Sequence, residues 1–377
     1  MTAIADQTEW RVIGETVPGA SHLRVGIPNQ DAILQQRESS RSLPIVLSIS
    51  DGHGSDKCFR SDRGSRYAVK KAVQVVGEFL DEHRSTIDLT EIESKGKEIL
   101  PREFLRKWRK AVEADLKKQS FTPEDLAKLK EKDGEKALKL IEENPLLAYG
   151  ATSLTVAVDE SFVLFLQLGD GEILTVSEKG EVTKPLPSDE RLFANETTSL
   201  CSPRAENDFR FFIQKISDKT CPALILLSTD GYVNSFSERA GFLKAATDFY
   251  DLLGTEGHDF INENLKSWLE ESTKMGSGDD TTVGIIYRPL ALKKNQAVTE
   301  LQAAPETATA PPAIVQSGEI VEHALPEKQE NQEDVTVTIT IKKDKNKASA
   351  KPIVTIKNVD EEHSKHLIDN AENSKTE

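Results

Sequence analysis

Short apolar runs separated by tight turns constrain the fold of this chain more than any other feature of its sequence. Three such runs follow one another at 151–158, 161–168 and 172–177, with only two or three residues between them. This spacing predicts an antiparallel meander, since strands joined so closely usually pair with their neighbours. Further strands are predicted at 10–17, 43–50, 209–216, 223–228 and 282–287.

Helical periodicity occupies much of the chain between these runs. Residues 91–145 are rich in Lys, Glu and Leu at helical spacing, with Pro101 and Pro123 at predicted N-terminal helix positions. Because the strands come in hairpins rather than in strict β–α alternation, we expect antiparallel sheets covered by helices, not a doubly wound parallel sheet. Further helices are predicted over 61–82, 238–253 and 258–274.

The last part of the chain differs in composition from the rest. Residues 288–377 contain no Phe, Tyr or Trp, and such a stretch buries too little apolar area to offset the entropy of ordering it. We therefore expect a folded domain over 1–290 and an acidic, mostly disordered tail over 291–377. Two β-prone segments, at 335–341 and 352–356, are either part of that disorder or strands that add to a sheet edge of a partner or of this domain.

Charge and cysteine content narrow the classes of partner and compartment. A formal net charge of −15 argues against nucleic acid or an anionic membrane as the main partner, because both reward basic patches. Three separated cysteines without a CxxC pair favour a reducing compartment over a disulfide framework. The sequence has neither an apolar stretch of about 18 residues nor a signal-like start, so we expect a cytoplasmic protein.

Four aspartate sites share one context, the junction of an apolar strand with a glycine turn. Asp51, Asp170 and Asp230 each follow a strand, and Asp279 and Asp280 precede the last one. If the strand ends converge, the carboxylates repel one another and their pKa values rise. A divalent cation relieves that repulsion, and hard ions such as Mg²⁺ or Mn²⁺ prefer carboxylate, carbonyl and water oxygens. Two such ions about 3.5–4 Å apart can clamp a phosphate and turn a shared water into a hydroxide nucleophile.

Other chemistries do not fit the motifs. The segment DGHGSDKCFRSD has His53 and Asp56 where a calcium loop needs an oxygen ligand and a glycine. The sequence lacks the glycine-rich phosphate loop and the HRD motif of kinases, and it lacks the GxSxG motif of serine hydrolases. The pattern therefore favours metal-assisted hydrolysis of a phosphoester.

Five short motifs follow one another in a fixed order, after GASHLRVGIPNQDA near the N-terminus. They are DGHG (51–54), GATSLTVAV (150–158), LGDGE (168–172), LSTDG (227–231) and GDDTTVGII (278–286). In order and spacing they resemble the metal-dependent protein phosphatases of type 2C, in a bacterial variant. The resemblance spans residues 10–290 and implies an α+β fold, a four-layer αββα sandwich of two antiparallel β-sheets flanked by helices. It also implies that a hydroxide bridging two metal ions hydrolyses phosphoserine and phosphothreonine.

The resemblance further implies roles for single residues. His53 would be the general acid that protonates the leaving seryl oxygen, and Asp31 would orient a metal-bound water. Asp170 matches a position that helps to hold a third, more weakly bound ion. The ligands implied for the two Mn²⁺ or Mg²⁺ ions are Asp51, which would bridge both and so take part in catalysis, the carbonyl of Gly52, Asp230 and Asp279.

Two positions depart from the pattern of the family. Gly26 stands where many members have an arginine that grips the substrate phosphate, so Arg24, or else His22, is the candidate for that contact. Gln30 replaces a glutamate, and its neutral amide should weaken binding of the second ion. No function follows from the long helical stretch at 91–145.

Three functional hypotheses therefore stay open. The first is an active phosphatase whose partners are a phosphoprotein substrate and a cognate serine/threonine kinase, with the tail as a candidate site for a protein partner. The second is a weakly active or inactive regulatory module with the phosphatase fold. The third is an acidic structural domain without metal.

Overall fold

The computed structural model describes residues 10–37, 43–86, 88–187, 198–217, 220–289, 291–292, 340–342 and 353–355. Internal contacts divide the chain into two compact units, Met1–Thr299 and Glu300–Glu377. Among the helices in these described ranges, none has both the length and the apolar character of a membrane span.

Two five-stranded antiparallel sheets form the centre of the first unit. Sheet 1 has the order β2 (Ala32–Arg37), β3 (Ile45–Ser50), β4 (Ser153–Val158), β5 (Phe162–Leu168) and β8 (Arg210–Lys215). Sheet 2 has the order β1 (Arg11–Val17), β10 (Thr281–Tyr287), β9 (Leu224–Ser228), β6 (Glu172–Val176) and β7 (Val182–Thr183). The central strands β3, β4, β5, β9 and β10 are buried along their whole length. Burial on both faces explains why their sequences are continuous apolar runs.

Helices cover the outer face of each sheet. Sheet 1 packs against α2 (Ser61–Glu82) and α3 (Leu89–Lys118), and sheet 2 packs against α6 (Arg239–Thr255) and α7 (His258–Met275). The buried face of α2 has the helical spacing of Ala68, Ala72, Val76 and Phe79. This unit also contains the α-helices α1 (Ala20–Val25), α4 (Pro123–Glu143) and α5 (Asp230–Val233).

Three apolar cores separate four structural layers. The middle core lies between the sheets and includes Leu47, Leu154 and Leu227. One outer core joins α2, α3 and sheet 1, and the other joins α6, α7 and sheet 2. The predicted α+β sandwich of two antiparallel sheets flanked by helices is therefore confirmed.

Two local predictions were wrong. The predicted meander ends after β5, because β6 leaves sheet 1 and pairs with β9 in sheet 2. A three-residue turn can close a hairpin or pass to the facing sheet, and the turn at 169–171 does the latter. Pro101 lies inside α3 rather than at its start, where it removes one backbone donor without ending the helix. Pro123 does open α4, next to a capping box formed by Thr122 and Asp125.

Two elements near the N-terminus, α1 and β2, did not stand out in the sequence. The helix α1 has six residues, none of them buried, so it lacks the apolar face from which helices are recognised. In the second unit, β11 (Thr340–Lys342) pairs antiparallel with β12 (Ile353–Thr355), Ile341 standing opposite Val354. The other tail positions beyond residue 292 lie outside the described residues, so the disorder expected for them stays a prediction.

Candidate metal centre

Strand ends from both sheets meet at one end of the sandwich. In sheet 1, Ala32 at the start of β2 lies opposite Ser50 at the end of β3, and the start of β4 lies beside the end of β5. In sheet 2, Ser228 at the end of β9 lies opposite Val283 near the start of β10. Antiparallel pairing therefore collects aspartates that are far apart in sequence.

Asp51, Asp170 and Asp230 form one close group at this end. Each contributes a carboxylate oxygen, and these oxygens lie within 4.8 Å of one another. Asp51 follows β3, Asp170 lies in the turn between β5 and β6, and Asp230 opens α5. The Asp51 backbone is fixed by Thr152: the Asp51 N–H donates to Thr152 Oγ1 (3.0 Å), and the Thr152 N–H donates to the Asp51 carbonyl (2.8 Å). The passage of the chain from sheet 1 to sheet 2 is what places Asp170 in this group.

Burial and mutual repulsion disfavour ionisation of these carboxyl groups. Burial, and then the charges of Asp31 and Asp230, raise the pKa of Asp51 well above its ordinary range. Burial, and then the charge of Asp170, raise the pKa of Asp230 to about 6. A bound cation would offset both effects. The cluster therefore has the electrostatics of a cation site.

Asp31 directly precedes β2 of sheet 1 and is buried beside this group, where residues at strand ends of sheet 2 hold its side chain. Its Oδ2 accepts hydrogen bonds from Thr229 Oγ1 (2.8 Å) and Thr282 Oγ1 (2.7 Å). Burial raises the pKa of Asp31 to about 8, and the two threonine hydrogen bonds oppose that rise. These threonines were not among the residues predicted from the sequence. The available signal was a hydroxyl at the buried end of an apolar strand, directly before Asp230 or two residues after Asp280.

Asp279 lies at the rim of the site. Its side chain is 51% exposed, and its charge contributes to the raised pKa of Asp230. The structure groups Asp279 with His22 and Asp280, whose potential ligand atoms lie within 4.8 Å of one another. Asp279 therefore lies near Asp230 but outside the close group of Asp51, Asp170 and Asp230.

Asp280 has a structural role that the sequence did not indicate. Its buried carboxylate accepts the Gly19 N–H on Oδ1 and the Gln30 N–H on Oδ2, both at 2.6 Å. His22 Nδ1 lies 3.0 Å from Asp280 Oδ1. These contacts hold the segment from Gly19 to Gln30 against the start of β10, and so position Asp31, the next residue.

Gly52 and His53 follow Asp51 without a break. A Cβ atom on Gly52 would lie 2.6 Å from the Gln30 carbonyl oxygen and 2.7 Å from that of Ser61, so only glycine fits there. The His53 N–H donates to the Gly150 carbonyl (3.1 Å). Burial lowers the pKa of His53, and the negative charge of Asp170 opposes that shift. The imidazole therefore lies within the electrostatic reach of the carboxylate group.

The two positions that depart from the family pattern differ in their burial. Arg24 lies in α1 and Gly26 follows it, and both are exposed. Gln30 is buried, and its Nε2 donates to Ser61 Oγ (2.6 Å). Gln30 is thus buried among the residues around Asp51, whereas Arg24 is exposed to solvent.

Unpartnered buried oxygens indicate that the residues present fit a cation. Asp31 Oδ1, Asp170 Oδ1 and Gln30 Oε1 are buried without a hydrogen-bond partner in the described part of the chain. Such acceptors are costly when they are left unsatisfied. All three are oxygen donors of the kind that Mg²⁺ and Mn²⁺ prefer. Fold and site together define an α+β protein with a candidate cation site of clustered carboxylates at the strand ends of a two-sheet sandwich.

The chain belongs to the protein phosphatase 2C family, whose model matches residues 18–270. The predicted resemblance is thereby confirmed. No curated protein matches the chain.

Several solved structures are similar to the chain at low identity. A bacterial serine phosphatase is 14% identical, with a TM-score of 0.47, and the match covers 74% of this chain and 98% of that one. The catalytic domain of the serine/threonine protein phosphatase PstP, in complex with two manganese ions, is 16% identical, with a TM-score of 0.44 and coverages of 74% and 97%. The phosphatase domain of SpoIIE from Bacillus subtilis is 14% identical, with a TM-score of 0.38 and coverages of 81% and 99%.

Proposed function

We propose that this protein is a metal-dependent serine/threonine protein phosphatase that hydrolyses phosphoserine and phosphothreonine. Family membership supports the reaction class. The observation that carries the proposal is the group formed by Asp51, Asp170 and Asp230, whose carboxylate oxygens lie within 4.8 Å of one another. Carboxylates kept so close are explained by a cation, and two-metal centres are well suited to phosphate chemistry.

The proposed cofactors are two divalent ions, Mn²⁺ or Mg²⁺. Asp51, the Gly52 carbonyl, Asp230 and Asp279 would hold them, and Asp170 would help to hold a third, weaker ion. When bound, such ions polarise the phosphoryl oxygens and acidify a water. The protein also orients Asp31 through the hydroxyls of two threonines, and this carboxylate is proposed to position the attacking water.

His53 is the proposed general acid. Its backbone is tied to Gly150, and its imidazole is near enough to Asp170 for the charge of that residue to affect the pKa of His53. A protonated imidazole would give its proton to the seryl or threonyl oxygen as the bond from phosphorus to that oxygen breaks. Good leaving groups need this proton less, so the role is testable with substrates of different leaving groups.

The substrate is proposed to be a phosphoprotein made by a cognate serine/threonine kinase in the cytoplasm. Arg24 is the proposed contact for the substrate phosphate, because its exposed position on α1 adjoins the segment that ends at Asp31. A regulatory module with little turnover is the second candidate function. Gly26 and Gln30 favour it, since they replace an arginine and a glutamate of the family pattern.

The proposed activity is tested by the dephosphorylation of phosphothreonine peptides with Mn²⁺. We expect turnover by the wild type that EDTA abolishes and that Asp51→Asn reduces to background. A matched control is Asp248→Asn, the same change in an exposed pair with Lys244 on α6, which should keep full activity. Calorimetric Mn²⁺ binding without turnover would favour the regulatory module. No Mn²⁺ binding at all would contradict both.

A further inference from the structure

A second buried carboxylate, Asp115 on α3, lies outside the metal centre. Its side chain is 4% exposed. Oδ1 accepts from Arg63 Nη2 (2.6 Å) and from the Tyr67 hydroxyl (2.8 Å), and Oδ2 accepts from the Tyr149 hydroxyl (2.7 Å). A buried charge with three donors is held in one orientation, because losing any donor would leave it partly unpaired.

Tyr149 connects this carboxylate to the segment that carries His53. It directly precedes Gly150, whose carbonyl accepts the His53 N–H (3.1 Å). The Gly150 backbone also packs against the imidazole, since a Cβ atom on Gly150 would lie 2.7 Å from His53 Cδ2. The backbone position of Tyr149 therefore determines where the His53 ring lies.

The segment that begins at His53 is also held at its other end, at Arg60. The Arg60 N–H donates to the Ala148 carbonyl (2.8 Å), and Arg60 Nη1 donates to the Tyr149 hydroxyl (2.9 Å). Residues 148–150 thus hold the segment from His53 to Arg60 at both of its ends. The Tyr149 hydroxyl is the point where Arg60 and Asp115 meet.

The helical stretch α3–α4 encloses this arrangement. After α3 ends, the Gln119 and Ser120 carbonyls accept from the Arg60 guanidinium at 2.5 and 3.0 Å, which also lies 4.6 Å from the centroid of the Phe121 ring. From α4, Lys132 Nζ donates to Asp56 Oδ1 (2.6 Å). The stretch whose sequence indicated no function therefore contacts the His53 segment at several points.

We propose that Asp115 is a positioning residue for His53, acting through Tyr149 and Gly150. The inference rests on the proposed phosphatase function. In that reaction a water oxygen bonds to phosphorus, and the protons of that water stay with the released phosphate. The bond from phosphorus to the seryl oxygen breaks, the seryl oxygen keeps the electron pair of that bond, and it takes up the imidazole proton. Asp115 makes no contact with the carboxylates of the metal centre in the described structure. Its loss is therefore expected to impair proton donation and to leave cation binding intact.

The test compares two substrates with different leaving groups. The leaving group of a phosphothreonine peptide is the threonyl alkoxide, which needs the proton. The leaving group of p-nitrophenyl phosphate is a stabilised phenolate, which needs it little. For Asp115→Asn we expect kcat on the peptide to fall about 10-fold or more, and kcat on p-nitrophenyl phosphate to stay within about 2-fold. The KM values and the calorimetric Mn²⁺ affinity should not change.

Two further variants keep the test decisive. Tyr149→Phe removes one hydroxyl and keeps the ring, so it should show the same selective loss even if Asp115→Asn does not fold. The double variant Asp115→Asn with His53→Ala should be no slower on the peptide than His53→Ala alone, because both changes act on one group. The matched control is Glu103→Gln on the exposed face of α3, where Glu103 pairs only with Arg106 among the described residues, and it should behave as wild type.

Each other outcome contradicts a defined part of the reasoning. Equal losses on both substrates, or a weakened Mn²⁺ affinity, would show that Asp115 only supports the fold, and would overturn the positioning role. Unchanged kcat on the peptide in Asp115→Asn and Tyr149→Phe would overturn it as well. Absence of wild-type turnover on both substrates would instead refute the proposed function, and the positioning role with it.

Discussion

Replacing Asp230 by asparagine should stabilise the metal-free protein at neutral pH while weakening its response to Mn²⁺. Burial and the charge of Asp170 raise the pKa of Asp230 from 3.8 to about 6, which disfavours its ionised form in the native state by about 3 kcal/mol. Because the pKa is raised, the contribution of Asp230 to native stability is fully present below pH 3.8 and is lost as pH rises through about 6.

The expected gain in the free energy of unfolding is smaller than the full electrostatic cost of ionising Asp230. Asparagine removes the charge but disturbs the hydrogen bond from Asn234 Nδ2 to Asp230 Oδ2 (3.1 Å), a loss of about 1 kcal/mol. The residual exposure of Asp230 lowers the gain further. We therefore expect the free energy of unfolding to rise by about 1–2 kcal/mol at pH 7.5, or roughly 2–8 °C in Tm for a domain of this size.

Urea unfolding in EDTA at pH 7.5 and at pH 5.0 measures this difference. At pH 5.0 the native Asp230 already carries a proton while the unfolded one is still ionised, so roughly half of the electrostatic cost remains. The lost hydrogen bond to Asn234 offsets that remainder, and the gain should therefore be close to zero. Adding Mn²⁺ at pH 7.5 should stabilise the wild type more than Asp230→Asn. A less stable Asp230→Asn protein at pH 7.5, or an equal gain at both pH values, would refute the view that the carboxylates repel one another.

Three other predictions follow from the same contacts. His53→Ala should lower the rate on phosphothreonine peptides by about 10²–10⁴-fold, and steady-state kinetics should show a much smaller loss on p-nitrophenyl phosphate. Gln30→Glu should raise Mn²⁺ affinity in calorimetry by roughly 10-fold and lower the Tm in EDTA, since it adds a carboxylate to the centre. Asp280→Ala leaves the Gly19 and Gln30 N–H groups without their acceptor, so urea unfolding should show a loss of about 2–4 kcal/mol.

Helices and strands that are marked by the apolar pattern of their own residues were predictable from the sequence. The helix α2 spans Ser61–Glu82 as predicted, because its apolar residues alone mark the buried face. The buried strands β3, β4 and β5 were likewise visible as apolar runs. A short element such as α1, with no buried residue, carries no such periodic signal and was missed.

Contacts between distant segments could not be read in the same way. The hydroxyls of Thr229 and Thr282 reach Asp31 only because β9 and β10 of sheet 2 lie beside the start of β2 in sheet 1. Likewise, no pattern near Asp115 indicates that its partners are Arg63 and Tyr149. Such partners are chosen by packing, which depends on the whole fold.

What the sequence by itself determined was the set of elements and the aspartates at their ends, since period, turn glycines and strand length act over a few residues. Only the tertiary structure decided that β6 crosses to sheet 2, and with it that Asp170 joins Asp51 and Asp230. It also separated the exposed Asp279 from the buried Asp280. The physical reason is that burial and charge repulsion depend on which strand ends meet, and strand pairing is set by side chains far apart along the chain.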